Sequence, residues 1–228
     1  MMIAGVVFYL MFFPPQWLLT QISISFPGCI YFVETVDPVI ALTIDDGPDP
    51  TTTPEILEVL SQFNAKATFF LVTNRIDGNQ ETVARIVDER HEIGNHLTRH
   101  DQASICLSVQ EFEAEFIKAD SILSRYSKIN WFRPGSGWYD QKMILTVEKF
   151  GYQCALGSVY PFDLIIPWTG FHVKHILFNV KPGSIIILHD GGDKGKRTIN
   201  TLGELLPVLN QRGFRIVTLS ELVNSSQK

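Results

Sequence analysis

The chain has 228 residues, a length that fits one domain better than two. Hydrophobic residues make up 45% of it, which excludes a disordered chain and allows a large buried core. The net charge of -5 and the absence of a basic patch argue against nucleic acid as a partner. They do not exclude a charged sugar.

The N-terminal segment, residues 1–33, differs from the rest because it contains no Asp, Glu, Lys or Arg. Met1 to Phe13 is a continuous apolar run, and such a stretch can enter or cross a bilayer. A positively charged leader and an A-x-A cleavage site are both missing. We therefore expect an uncleaved membrane anchor, with the domain of residues 34–228 outside the cytoplasm. The alternatives are a cleaved signal peptide, which gives a secreted form, and a buried apolar arm.

After Pro38, short β-rich runs alternate with helical patterns, which predicts parallel βαβ units. About seven strands are expected, arranged as a barrel or as an open doubly wound sheet. Thr53 is expected to cap the first helix, and Ser108 to Glu111 forms a capping box. The predicted strands are residues 39–44, 67–72, 91–94, 130–132, 152–156, 184–188 and 214–219. The predicted helices are residues 53–63, 81–89, 108–126, 141–150, 172–180 and 201–211.

The three cysteines, Cys29, Cys106 and Cys154, are far apart and contain no CxxC pair. They indicate neither a disulfide framework nor a thiolate zinc site, and we interpret them as isolated thiols.

Three histidines outside the motifs below, His91, His172 and His175, are predicted to lie at the surface. The glycine- and lysine-rich residues 191–197 lack the P-loop spacing and are predicted to form a mobile loop near the site, where it could touch substrate.

Polar residues with catalytic potential follow the predicted strands. In α/β folds the carboxyl ends of parallel strands meet at one face, so these side chains are expected to form one site. They are Asp45, Asp46, His96, His100, Arg133, Asp163, His189 and Asp190.

Two histidines and one carboxylate form a ligand set that leaves metal positions open for water and substrate. His96 and His100 supply the histidines, and the pair Asp45 and Asp46 supplies the carboxylate. The Asp-Gly-Pro-Asp-Pro sequence also favours a turn. A turn does not explain why two adjacent carboxylates follow the C-terminal end of an apolar strand. Because adjacent side chains point in different directions, one can bind metal while the other acts as general base.

His189 ends an apolar strand, where it can protonate a leaving amine. Asp163 or Asp190 is expected to orient it and raise its pKa. The alternative is an ordinary core histidine.

Four ordered motifs resemble those of the polysaccharide deacetylase family, also known as the NodB-homology or carbohydrate esterase family. They are Thr43 to Pro48, His96 to His100, Arg133 to Gly137 and Leu188 to Asp190. The resemblance covers roughly residues 39–222. It implies a distorted (β/α) barrel and a divalent metal, usually zinc, with cobalt or nickel as alternatives. It also implies removal of acetyl groups from N-acetylated sugars such as those of chitin or peptidoglycan.

The resemblance also implies a role for each matching residue. The base is Asp45, which Arg133 orients. The general acid is His189, whose pKa is set by Asp163. The metal ligands are Asp46, His96 and His100.

Two of the motifs depart from the family pattern. Leu97 stands where Ser or Thr is usual, and Gly135 and Ser136 replace Pro and an aromatic residue. The Ser136 backbone N–H can still supply an oxyanion donor. Trp138 or Tyr139 is predicted to replace the aromatic substrate surface, with core or rim packing as the alternative.

The predicted function is hydrolysis of an N- or O-acetylated carbohydrate by metal-activated water. Two alternatives stay open: a non-haem iron enzyme on the same ligands, and an inactive membrane-tethered carbohydrate-binding module. The sequence leaves the sugar, its linkage and the choice between amide and ester open.

Overall fold

The computed structural model describes residues 14–99 and 104–225 of the chain. Strands and helices alternate through this part, as predicted. The strands are β1 Cys29–Ile30, β2 Val39–Asp45, β3 Ala67–Leu71, β4 Glu92–Asn95, β5 Trp131–Phe132, β6 Gln153–Ala155, β7 Ile185–His189 and β8 Arg215–Val217. The helices are α1 Gln16–Ser25, α2 Thr52–Gln62, α3 Gln80–Asp88, α4 Val109–Leu123, α5 Gln141–Lys149, α6 Thr169–Asn179, α7 Gly192–Gln211 and α8 Leu219–Ser225.

The strands form one sheet in which all ladder pairs are parallel, in the order β1-β6-β5-β4-β3-β2-β7. Strand β8 lies off this path and pairs with residues 39–41 of β2. Two single bridges, Phe32 with Ser184 and Val159 with Ile186, connect the β1 and β6 end of the sheet to β7. The predicted α/β fold with a parallel sheet is confirmed. Among the described residues the ladders do not close a complete barrel.

Strand β2 is buried along its whole length, as expected of a parallel strand covered on both faces. Its side chains alternate between the two faces. Ile40, Leu42 and Ile44 belong to the larger hydrophobic core, which also contains residues of α2 and α7. This core holds the outer helices against the sheet.

The other face of β2 points to a smaller inner core. Val39 and Ala41 lie there with residues of β3, β5, β6, β7 and β8. Thr43 and Asp45 continue the same alternating row toward the carboxyl end of the strand. Asp45 is also the register partner of His189 in the β2–β7 ladder. The inner face is therefore apolar at the start of the strands and polar at their ends.

The last residues of the N-terminal segment, 29–33, are hydrogen-bonded to the domain that follows it. Cys29–Ile30 pairs with β6, and the Val33 N–H donates to the Gly183 carbonyl. No helix within residues 14–99 and 104–225 is long and apolar enough to cross a membrane. Residues 1–13, which contain the continuous apolar run of the predicted anchor, lie outside the described residues.

The interpretation of the cysteines as isolated thiols is wrong for two of them. Cys29 and Cys154 are register partners of β1 and β6 and form a disulfide. They are 125 positions apart in the sequence, and spacing alone does not reveal such a pairing. Cys106 is a free, exposed cysteine.

The prediction of surface positions for three histidines is also wrong, since His91, His172 and His175 are all buried. The His91 Nδ1 accepts the Ala67 N–H, and burial together with the Lys66 and Arg85 charges lowers the pKa of His91 to about 4. His172 and His175 lie on α6, which packs against α7 and so covers them.

Several boundaries differ from prediction because tertiary packing decides them. Residues 192–197 are the start of α7 rather than a mobile loop. A Cβ at Gly195 would lie 2.3 Å from the Thr52 Oγ1, so the helix can approach α2 only with glycine there. The last strand ends at Val217, and α8 follows it.

Helix capping gives one wrong prediction and one confirmed one. Thr53 lies inside α2 and its hydroxyl donates to Asp190, so it is not the cap. The capping box of Ser108 and Glu111 is confirmed at the start of α4.

Candidate active site

A cavity of about 470 Å³ opens at the carboxyl ends of the strands. The predicted common face is therefore present as a concave site. Most of the predicted site residues within the described chain line it, and they come from the ends of β2, β4, β5 and β7. These residues are Asp45, Asp46, His96, Arg133, Ser136 and His189.

Arg133 holds Asp45 at the end of β2. Its Nη1 donates to the Asp45 Oδ1 at 2.6 Å and to the Thr43 Oγ1 at 2.7 Å. Its other nitrogens donate to the carbonyls of Ala155 and Leu156, at 2.9 and 3.0 Å. The guanidinium is thus fixed on several sides, and this geometry fits the predicted role of orienting Asp45.

The Asp46 carboxylate lies between two nitrogen-bearing side chains. Its Oδ1 is 3.6 Å from the His96 Nε2, and its Oδ2 is 2.5 Å from the Lys194 Nζ. Burial alone would raise the pKa of Asp46, but the hydrogen bonds and charges of His96 and Lys194 lower it well below its ordinary value. Asp46 is therefore an ionised carboxylate, the form that binds a cation.

The His96 imidazole is oriented by the backbone of Arg133. Its Nδ1 lies 2.7 Å from the Arg133 carbonyl, which can only accept, so the hydrogen is on Nδ1. The Nε2 then faces Asp46 and is the nitrogen that could bind a cation once its proton is lost. A histidine ligand usually donates its second nitrogen to a carbonyl or carboxylate in this way.

Two of the three predicted metal ligands are thus close together, and their nitrogen and oxygen donors fit a divalent cation such as zinc. The third, His100, lies outside the described residues. Within the described ranges no group of three His, Cys, Asp or Glu residues forms a metal site.

His189 and Asp163 form a second buried pair. The His189 Nδ1 lies 3.0 Å from both carboxylate oxygens of Asp163, and the His189 backbone N–H donates to Oδ2 at 2.9 Å. Burial alone would lower the pKa of His189. The hydrogen bond and charge of Asp163, aided by the charges of Asp45 and Asp46, raise it instead. His189 therefore holds a proton to higher pH than an ordinary histidine.

The sequence left open whether Asp163 or Asp190 contacts His189. Asp190 accepts hydrogen bonds from the hydroxyls of Thr52 and Thr53, and its backbone N–H donates to the Asp45 carbonyl. It connects β7 to the start of α2. Asp163 is the residue that contacts the imidazole.

The third motif brings Ser136 to the cavity but neither of the predicted aromatic residues. Ser136 lies in the short turn Gly135–Gly137 and lines the cavity. Trp138 is 67% exposed, and the Tyr139 hydroxyl donates to the Phe26 carbonyl at 2.6 Å. Among the described lining residues neither Trp138 nor Tyr139 is present.

Left-handed backbone is concentrated around the site. Of six non-glycine residues with positive φ in the described ranges, four follow strands at the carboxyl edge. Such conformations are costly and persist where packing and function require them. The four are Asp46 (φ 73°), Leu97 (63°), Ser136 (61°) and Phe162 (60°).

Sequence reasoning missed three contributors to the site. Thr43 accepts from Arg133, Lys194 holds Asp46, and Tyr160 lines the cavity. Because alternate residues of β2 point to the inner face, the inward position of Thr43 could have been predicted from the sequence. Lys194 and Tyr160 reach the cavity through α7 and a loop, so strand-end placement gives no signal for them.

Known proteins resemble this chain in sequence. A family model described as polysaccharide deacetylase matches residues 33–155. The chain is 38% identical over 188 residues to a peptidoglycan-N-acetylglucosamine deacetylase of Bacillus cereus, covering 81% of this chain and 88% of the relative.

Two solved structures extend the comparison to the fold. The crystal structure of the Bc1960 peptidoglycan N-acetylglucosamine deacetylase superposes with a TM-score of 0.80 at 30% identity, over 85% of this chain and 92% of that one. BA3943 of Bacillus anthracis, described as a pseudoenzyme, gives a TM-score of 0.78 at 25% identity, over 86% and 69%. The chain belongs to the polysaccharide deacetylase family.

Proposed function

We propose that this chain is a metal-dependent hydrolase that removes acetyl groups from the N-acetylated sugars of peptidoglycan. Family membership supports carbohydrate deacetylation as the activity. One observation carries the mechanism: Asp45, held by Arg133, and His189, held by Asp163, are register partners that line the same cavity. The residues that we propose as base and acid are therefore at the ends of adjacent strands.

Asp45 and His189 divide the proton transfers. Asp45 takes a proton from the water that attacks the acetyl carbon, while Arg133 fixes the direction of its carboxylate. His189 gives its proton to the departing amine, so acetate and a free amino sugar leave the site. Asp163 keeps the imidazole protonated and holds its Nδ1, so Nε2 is the nitrogen that donates.

The oxyanion of the tetrahedral intermediate needs a donor near the acetyl group. The Ser136 backbone lies on the cavity wall, and we assign its N–H to this role.

Asp46 and His96, with His100 as the third ligand implied by the family resemblance, would hold the cation. A divalent metal bound there lowers the pKa of water and polarises the acetyl carbonyl. We expect zinc, with cobalt or nickel able to replace it.

The substrate proposal rests on the relative that is 38% identical, whose name specifies peptidoglycan N-acetylglucosamine. The same residues can also hydrolyse an acetyl ester, since the base and the nucleophile are unchanged. Ester hydrolysis is therefore measured beside amide hydrolysis.

We also propose that the protein acts at a membrane outside the cytoplasm, anchored through residues 1–33. The apolar run of residues 1–13 supports the anchor. The Cys29–Cys154 disulfide supports an oxidising compartment, because such bonds are rare in the cytosol.

An inactive carbohydrate-binding protein is the rival function, and it gains weight from the structural likeness to a pseudoenzyme. The intact Asp45–Arg133 and His189–Asp163 pairs favour the enzyme instead.

Acetate release from a panel of sugars decides between the two functions. The full-length, zinc-loaded chain is incubated with peptidoglycan, N-acetylglucosamine oligomers and O-acetylated xylan. We expect acetate and free amines in equal amounts from the N-acetylated substrates. Sugar binding without acetate from any substrate would establish the binding protein. Oxygen-dependent turnover with stoichiometric iron would establish the iron enzyme.

A further inference from the structure

The catalytic cavity contains one aromatic side chain that none of the roles above uses. Among its described lining residues, Tyr160 is the only Phe, Tyr or Trp. It takes the place that the sequence predicted for Trp138 or Tyr139, neither of which lines the cavity.

The position of Tyr160 is fixed by the sheet. The preceding residue, Val159, bridges to Ile186 of β7, and the Ile187 N–H donates to the Val159 carbonyl at 2.9 Å. The Tyr160 ring packs against Phe162, with ring centroids 4.9 Å apart. Because backbone pairing and ring packing both hold it, Tyr160 is a preformed part of the cavity wall.

Tyr160 also lies beside the proposed general acid. Its ring centroid is 5.9 Å from that of His189, with the two planes at 75°. The two rings are therefore in direct edge-to-face contact, and the proposed acid must reach the nitrogen attached to the sugar ring. A sugar unit whose amide nitrogen is within reach of His189 would also be within reach of the Tyr160 ring.

The wall around Tyr160 is apolar, since Leu164 and Ile187 line the same cavity. Aromatic and aliphatic walls with a few fixed polar groups are typical of ligand sites. Tyr160 is half-buried, and burial with the charges of Asp163, Asp45 and Asp46 raises its pKa, so the phenol stays neutral. A neutral ring can pack against the carbon–hydrogen face of a sugar.

We propose that the Tyr160 ring is the aromatic contact for the sugar unit that carries the reacting acetyl group. This inference rests on the proposed function, because it assigns the substrate side of the same cavity. It replaces the prediction made for Trp138 and Tyr139.

Binding without turnover provides the first test. In a zinc-loaded Asp45→Asn background, the affinity for an N-acetylglucosamine tetramer is measured by calorimetry for Tyr160→Ala and Tyr160→Phe. We expect Tyr160→Ala to weaken binding about tenfold, the upper end of an aromatic contact, and Tyr160→Phe to stay within about twofold. Trp168→Ala, which changes an exposed ring that does not line the cavity, is the matched control and should bind normally. Equal losses in the Phe and Ala variants, or no loss in either, would overturn the ring contact.

A kinetic comparison separates sugar contact from support of His189. In the otherwise wild-type enzyme, Tyr160→Ala should raise KM for the tetramer with little change in kcat. Hydrolysis of a short alkyl acetate, which has no sugar ring, should be unaffected. Equal loss on both substrates would mean that Tyr160 acts through His189, and the inference would fail. If the parent chain binds the tetramer but releases no acetate, the proposed function fails while the binding test of Tyr160 still stands.

Discussion

The floor and the wall of the catalytic cavity are built in different ways. We define the floor as Asp45, Arg133, Asp163 and His189, and the wall as residues 135–137, Tyr160 and Leu164. The floor residues are at most 8% exposed, and each is held by hydrogen bonds to another floor residue. The wall contains exposed residues such as Ser136 and Leu164. The floor therefore supports one fixed chemistry, whereas the wall can differ between substrates.

The largest effect is expected from Asp45→Asn in the floor. The amide keeps the shape of the side chain but cannot take a proton, so acetate release should fall about 10²–10⁴-fold, the usual contribution of a general base. Zinc content should be unchanged, because Asp45 is not a proposed ligand. Asp193→Asn, an exposed aspartate, is the control. Full activity of the Asp45 variant would exclude Asp45 as the base.

The next effect is structural. Arg133→Met should lower the free energy of unfolding by about 3–5 kcal/mol, because it leaves the buried Asp45 carboxylate without its partner. Chemical denaturation measures this loss. The matched change in an exposed ion pair, Lys149→Met opposite Glu113, should cost about 0–1 kcal/mol. Equal small losses for both variants would mean that the floor is not a buried electrostatic unit.

The smallest of the three effects is a change in pH dependence. The pKa of His189 is raised in the folded protein, and His189 must be protonated to donate, so kcat declines as pH rises through that pKa. The Asp163 charge helps to raise the pKa of His189 although burial lowers it. Asp163→Asn removes that charge, so the pKa of His189 should fall and the decline in kcat should move to lower pH. The pH profile of kcat measures the shift, with Asp193→Asn as the control. An unmoved decline, or one moved to higher pH, would contradict the assignment of His189 as the acid.

The floor could be predicted because it follows from strand periodicity. Asp45 ends an apolar strand whose alternate residues point inward, and His189 ends the neighbouring strand. Local sequence contains both facts. The Arg133 contact with Asp45 needed the family resemblance, since the two residues lie 88 positions apart.

The wall and the long-range links could not be predicted from local pattern. Tyr160 reaches the cavity because Val159 pairs with β7. Lys194 reaches Asp46 because α7 already begins at Gly192, where the glycine-rich sequence had predicted a loop. The pairing of Cys29 with Cys154 likewise depends on β1 lying beside β6. Each of these depends on tertiary contact, which residue type and spacing do not specify.

The most direct measurement of the central claim, metal-dependent deacetylation at this floor, is acetate release before and after metal removal. The full-length chain is treated with a chelator, assayed on N-acetylglucosamine oligomers, and then titrated with zinc. We predict that acetate release is lost on chelation and is restored by about one equivalent of zinc per chain. Undiminished acetate release from the metal-depleted chain would contradict the account.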